Sequence, residues 1–213
     1  MHISEGILSG SLLAGGYIFA FVGTGIGLKK MDLNKVAESG ILSAVFFVAS
    51  LVHLPIGISN AHLTLSGLVG LLLGWMSFPT IVTALLIQAI MFQYGGITTL
   101  GINTVIMAVP AVFCYYFFNF LVVRNNIQFS IAAFICGVLS VFMGGLLLSF
   151  SLFFTNNNFK EIAIIVMLAH LPMMVVEGII TASCISFLIK VKPEILPKDL
   201  FKKCSIPITE CKN

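Results

Sequence analysis

Apolar residues in this chain come in long unbroken runs, without the alternation of half-buried strands or the three-to-four spacing of amphipathic helices. Seven stretches are apolar almost throughout: 6–28, 39–56, 62–78, 80–94, 103–123, 129–155 and 162–189. A helix needs roughly 20 apolar residues to cross about 30 Å of hydrocarbon, so each run reads as a membrane span, with 80–94 the shortest. Barrel strands would alternate lipid-facing and lumen-facing residues with period two, and these runs do not. The predicted fold is an all-α integral membrane protein of about seven transmembrane helices. Residues 1–213 form a single transmembrane domain, with no internal repeat, and 190–213 a short, basic, proline-interrupted tail.

Composition agrees. Hydrophobic residues make up 59% of the chain and charged residues 9%, against roughly 25% charged in soluble domains. Between Glu38 and Arg124 there is no Asp, Glu, Lys or Arg at all. A nucleic-acid-binding surface and a disordered linker are excluded on the same ground, and the partner solvent is the lipid bilayer. Five cysteines (Cys114, Cys136, Cys184, Cys204, Cys211) form no Cys-x-x-Cys pair and no disulfide framework.

The net charge of +3 gains meaning from its placement. With the N-terminus outside, ten of the eleven Lys and Arg residues fall in inner loops or the tail, and only Lys160 falls outside. Basic residues concentrate on the cytoplasmic side, so the expected orientation is N-terminus out and C-terminus cytoplasmic. A cleaved signal peptide would want a positive start and a short apolar core. Here the start carries Glu5 and no Lys or Arg, and the run is long, so Met1 is expected to keep its amine.

This topology gathers distant residues on the outer face: Met1-His2-Ile3, the segment ending at His62, the run Gly95–Asn103 and the loop Asn156–Asn158. Glycine-rich backbone at that depth is tolerated where it is buried in protein or lines a cavity, so these ends read as walls of one pocket. A free α-amine, the amide nitrogen of residue 2 and the Nδ1 of His2 can hold one metal in fused five- and six-membered chelate rings. The three nitrogens lie near one plane and leave one corner, for which His62 is the natural donor. Planar nitrogen ligation suits Ni(II) or Cu(II), whereas Zn(II) prefers a tetrahedron. The bland alternatives are an incidental penultimate histidine and an interfacial His62 bonded to backbone. His53 is either another ligand or a packing residue. Glu5 is placed to orient His2 or pair with the amine. His170 and Glu177 lie seven residues apart, on one helical face and about 10 Å apart along the axis, as a proton relay or a helix-locking contact. Pro172 predicts a local kink beside His170. No Gly-x-x-x-x-Gly-Lys-Ser/Thr loop and no His-Glu-x-x-His motif occurs, so ATP binding of the usual kind and zinc-protease chemistry are not expected.

At these residues the chain resembles the CbiM/NikM family, the substrate-capture components of energy-coupling-factor transporters for nickel and cobalt. The similar motifs run along the whole chain: Met1-His2-Ile3-Ser4-Glu5-Gly6, His62 through Gly74-Trp75, Gln88-Ala89, Gly95 through Asn103, His170-Leu171-Pro172 through Glu177-Gly178, and Lys190 through Glu194. The resemblance implies a seven-helix fold with the N-terminus inserted in a central outer cavity. It implies that the Met1 amine, the His2 amide and imidazole, and His62 hold the metal, with Glu5, His53, Ser59, Asn103, His170 and Glu177 as surrounding candidates. Nickel(II) or cobalt(II) would be cargo, with no cofactor and no enzymatic activity of its own. The implied partners are a transmembrane coupling component and ATPase subunits, with a small accessory membrane subunit as a further candidate, in a bacterial or archaeal cell membrane. The chain departs from the family at Gly57-Ile58-Ser59-Asn60-Ala61, where Gly-Gly-Thr-Ser often precedes the ligand, and at Ile106, where many members carry Asn. The continuation His62-Leu63-Thr64 is closer to the nickel branch. A stand-alone proton-coupled metal permease using His170 and Glu177 is the alternative, and an intramembrane enzyme a third.

Overall fold

The computed structural model describes residues 3–56, 59–125, 127–155, 160–192 and 195–196, with side chains from 53–61, 160–163 and 166 excepted. Met1, His2, the Asn156–Asn158 loop and nearly all of the tail lie outside these residues, as do the side chains of His53 and Ser59. The described elements are α1 (Gly10–Lys29), α2 (Val36–Ala49), a two-stranded hairpin of β1 (His53–Ile56) and β2 (Ser59–His62), α3 (Ser66–Leu73), α4 (Ser77–Phe92), α5 (Leu100–Asn125), α6 (Phe129–Thr155), α7 (Lys160–Ala169) and α8 (Leu171–Val191).

Side-chain contacts fix the direction of each helix. Gly16 of α1 lies against Ile102, and Gly101 against Tyr17, so α1 and α5 start at the same end. Gly27, at the far end of α1, meets Trp75 and Pro79. Ser39 bonds Thr80 and Ser50 bonds Gln88, so α2 and α4 run parallel. Gly70 meets Ala111 and Gly74 meets Tyr115, so α3 runs with α5. The pairs Cys114–Cys136 and Phe118–Phe129 make α6 antiparallel to α5. Ser130–Ser186 makes α8 antiparallel to α6. One end of the bundle therefore collects Lys29, Lys30, Arg124 and Lys190. The other collects Ile3, Glu5, the 95–99 turn, His62 and His170.

Among the described residues, five stretches are long and apolar enough to cross a membrane by length and composition, Gly10–Lys29, Ser66–Phe92, Leu100–Asn125, Phe129–Thr155 and Met167–Val191, the second of which folds back at Gly74. Their surfaces are inverted relative to a soluble protein. Phe19 and Phe21 are 70% and 82% exposed, whereas Gln88, Thr104 and Glu177 are buried. Large apolar side chains face outward where only lipid would solvate them well, and polar ones face helix neighbours.

Three expected boundaries change. The 39–56 run leaves the helix after Ala49, and 53–56 pair with 59–62 as the hairpin. The 62–78 run is not one helix. Its helical part, α3, has eight residues, about 12 Å long, and lies between left-handed residues Leu65 (φ 49°) and Gly74 (φ 56°). Glycine suits the second of these because it carries no Cβ. The corner there reverses the chain, so α3 and α4 run in opposite directions. The 162–189 run breaks at His170 into α7 and α8. Pro172 occupies the first turn of α8, where a missing N–H costs nothing, and its lack of that donor prevents α7 from continuing.

Small residues let the helices approach. A Cβ on Gly137 of α6 would stand 2.8 Å from the Cα of Gly178 on α8, and one on Gly67 of α3 would stand 2.7 Å from Ser140 Oγ. Such close backbone packing substitutes for the hydrophobic drive that lipid removes.

Candidate metal centre

The end of the bundle opposite the lysines holds the candidate site, and its foundation is the 95–103 segment. Gly95 and Gly96 adopt φ of 75° and 99°, which turns the chain between α4 and α5. Thr99 then donates its hydroxyl to the Gly95 carbonyl at 2.8 Å, closing the turn. This places Asn103 one helical turn further on, pointing into the interior with 2% exposure.

Asn103 clasps the N-terminal segment. The Ile3 N–H donates to Asn103 Oδ1 at 2.9 Å, and Asn103 Nδ2 donates back to the Ile3 carbonyl at 3.2 Å. A side-chain amide matched to both polar groups of one residue acts as a surrogate strand partner, and it satisfies a buried backbone that would otherwise be costly. Asn103 Nδ2 is itself 3.2 Å from Thr99 Oγ1, which fixes the amide's orientation. Ile3 is 3% exposed, so the chain directly after His2 is inside the protein. Two further ties reach the turn, one from the N-terminal segment and one from α1. Glu5 Oε1 accepts the Thr98 N–H at 3.0 Å, and Tyr17 on α1 donates its hydroxyl to the Ile97 carbonyl. Thr98's backbone N–H is the main reason the Glu5 carboxyl sits below the usual carboxylate range. Glu5 therefore anchors to the turn, which is its observed partner.

His62 closes β2 and is buried, at 7% exposure. Its Nδ1 lies 3.4 Å from the Leu63 carbonyl. With the proton on Nδ1, that contact selects the tautomer whose Nε2 lone pair can serve a metal. In the hairpin His53 is the register partner of His62. Leu63 N–H donates to the Val52 carbonyl at 3.4 Å, making 52 and 63 the bonded pair and 53 and 62 the adjacent non-bonded, closer pair. Ser59 lies in the same strand as His62, opposite Ile56.

His170 is the N-cap residue of α8, two helical turns before Glu177 on the same helix. His170 is buried at the α7–α8 break, where its carbonyl accepts the Met174 N–H at 3.0 Å. Glu177 Oε1 accepts both the backbone N–H and the hydroxyl of Thr64, the latter at 2.7 Å. Glu177 is thereby joined to the His62 segment. Sequence reasoning missed Thr64, Thr98, Thr99 and Tyr17. For Tyr17 only its match in depth to the Gly-rich turn could have signalled the contact. Among the described residues no group of three or more His, Cys, Asp or Glu side chains is assembled for a metal. A donor set using the chain's own first two residues is of a different kind, since two of its nitrogens are backbone.

The chain is similar to known metal transport proteins. A family model for CbiM, the cobalt uptake substrate-specific transmembrane region, matches residues 2–195. A putative metal transport protein of Haemophilus influenzae is 34% identical over 202 residues, covering 92% of this chain and 97% of its own. The cobalt transport protein CbiM of Sorangium cellulosum is 28% identical, covering 93% and 95%. A putative fused nickel transport protein NikMN of Archaeoglobus fulgidus is 29% identical, covering 92% of this chain and 68% of its own. A crystal structure of a transition metal transporter superposes with a TM-score of 0.78 at 29% identity, covering 90% of this chain and 93% of that one.

Proposed function

Because the chain belongs to the CbiM family of cobalt uptake substrate-specific transmembrane regions, we propose that it captures Ni(II), with Co(II) as the competing cargo, through four nitrogens. It is a multi-pass cell-membrane protein of metal transport, a transport component rather than an enzyme. The four donors in this reading are the Met1 amine, the His2 amide nitrogen, His2 Nδ1 and the imidazole of His62.

The observation that carries the reading is the reciprocal pair of hydrogen bonds between Asn103 and Ile3. A chain end bound by both polar groups of its third residue, inside the protein, is supported for a purpose beyond packing. The chelate chemistry supplies that purpose, and the buried His62 at the same end of the bundle supplies a fourth donor. The set favours a metal acidic enough to displace an amide proton and content with a plane, which is Ni(II) over Mg(II), Ca(II) or Zn(II).

In this account the end holding Ile3 and His62 faces outward and the end holding Lys29, Lys30, Arg124 and Lys190 faces the cytoplasm, in keeping with the distribution of basic residues. Release inward is driven by a transmembrane coupling component and ATPase subunits, since this sequence carries no phosphate-binding loop of the usual kind. A small accessory membrane subunit is a further partner in the proposal. A proton relay along α8 draws less support, because Glu177 is bonded to Thr64. The test is metal loading of protein with its native start, compared with His2→Ala and His62→Ala. Loss of nickel in both variants, with the protein still inserted and monodisperse, is the expected result. Full loading of His62→Ala would refute the donor set.

A further inference from the structure

We propose that Glu177 is a positioning residue of the capture site: its carboxylate holds Thr64, and through Thr64 it fixes the place and orientation of His62. The inference rests on the reading of His62 as a metal donor.

Three observations carry it. First, a carboxylate that is 1% exposed sits in the middle of an apolar helix and spends one oxygen entirely on Thr64, accepting its N–H and its hydroxyl. An ionisable group in that setting is costly, and its presence there calls for a task. Second, the residue it grips is two positions from His62, and two residues of extended chain reach about 7 Å at most. Between the grip and α3 lies Leu65 at φ 49°, a left-handed conformation that disfavours side chains with a Cβ. The α3 N-terminus has no side-chain cap of its own. Left to itself, this corner would relax toward ordinary backbone angles and carry His62 with it. Third, the post that holds the corner is rigid. Gly178, next to Glu177, packs so tightly on α6 that a Cβ there would stand 2.8 Å from Val138 Cγ2. Gly137 faces the Glu177 carbonyl and Thr181 at 2.9 Å on the same terms.

The second oxygen, Oε2, is buried and accepts no hydrogen bond among the described residues.

The test uses the full chain with its native start, purified in detergent, with Ni(II) alone as probe. Groups that orient a metal ligand typically change affinity 10- to 100-fold when removed. Glu177→Leu, which removes both acceptor oxygens, and Thr64→Val are each expected to weaken nickel binding by roughly that factor, while the absorption band of bound nickel stays in place. Thr64→Ser keeps both bonds and should bind like the parent. A merely structural role would lower the melting temperature of the variants and leave the affinity of the folded fraction unchanged; nickel affinity in Glu177→Leu within about threefold of the parent would overturn the proposal. A displaced band in Glu177→Leu would overturn it too, by making the carboxylate a direct ligand. Should Glu177→Leu fail to fold, Thr64→Val, which loses only the hydroxyl bond, decides alone. His62→Ala is run beside them. Parent-like binding there shows that the donor assignment has failed, whereas lost binding there with unaffected Glu177→Leu and Thr64→Val shows that only the positioning role has.

Discussion

Replacing Asn103 with alanine removes both bonds to Ile3 and leaves a buried N–H and a buried carbonyl without partners. Each buried group so orphaned costs about 1–3 kcal/mol. Water can reach a loosened chain end and recover part of this, so the lower half of the range applies, about 2–4 kcal/mol for the two. The cost falls on docking of the N-terminal segment, not on the helices, which keep their own bonds. If capture requires the docked segment, apparent affinity drops by the docked fraction, roughly 30- to 700-fold at 1.4 kcal/mol per tenfold. The assay is competitive nickel titration of detergent-purified protein, with hydrogen exchange at the Ile3 amide as an independent readout of docking. Exchange should accelerate in parallel with the loss of affinity. An Asn103→Ala protein that binds nickel within threefold of the parent would refute the link between the clasp and capture.

Other expectations follow from the same contacts. Gly137→Ala places a methyl 2.8 Å from the Gly178 Cα and should destabilise the α6–α8 contact by about 1–3 kcal/mol, read as a lower melting temperature in detergent. The Glu5 carboxyl is lowered by the Thr98 N–H, so its tie to the 95–98 turn is fully present above the ordinary carboxylate range and fades as pH falls through the lowered value. Because Glu5 is exposed, Glu5→Gln should change nickel affinity at pH 7 by less than about threefold, in a titration run beside Asn103→Ala. Capture by amine, amide and imidazole releases protons, so nickel affinity should fall steadily as pH is lowered from 8 to 6, about those limits, in equilibrium dialysis.

The hydrophobic pattern made the long helices legible. The runs 103–123 and 129–155 fall inside α5 and α6 because a buried or lipid-facing helix needs apolar residues throughout and little else. It did not place the turns. Leu65 and Gly74 turn the chain within an apolar stretch, and composition reads the same on either side of a reversal. The α7–α8 break was legible at Pro172, since proline has a local rule. The contacts at the candidate site were partly legible. Asn103 stood out at the end of a glycine-rich run and Glu5 as a charged group near His2, but their observed partners did not. The clasp on Ile3 spans 100 residues of sequence, and Thr64 meets Glu177 across 113, so neither follows from any local pattern.

The proposed capture chemistry stands or falls with the Met1 amine as a metal donor. Nickel content and the absorption spectrum, measured on protein beginning at Met1 and on the same protein extended by a short peptide before Met1, test it most directly. One diamagnetic, yellow nickel centre per chain is expected in the first and none in the second. Equal loading with the same spectrum in both would contradict it.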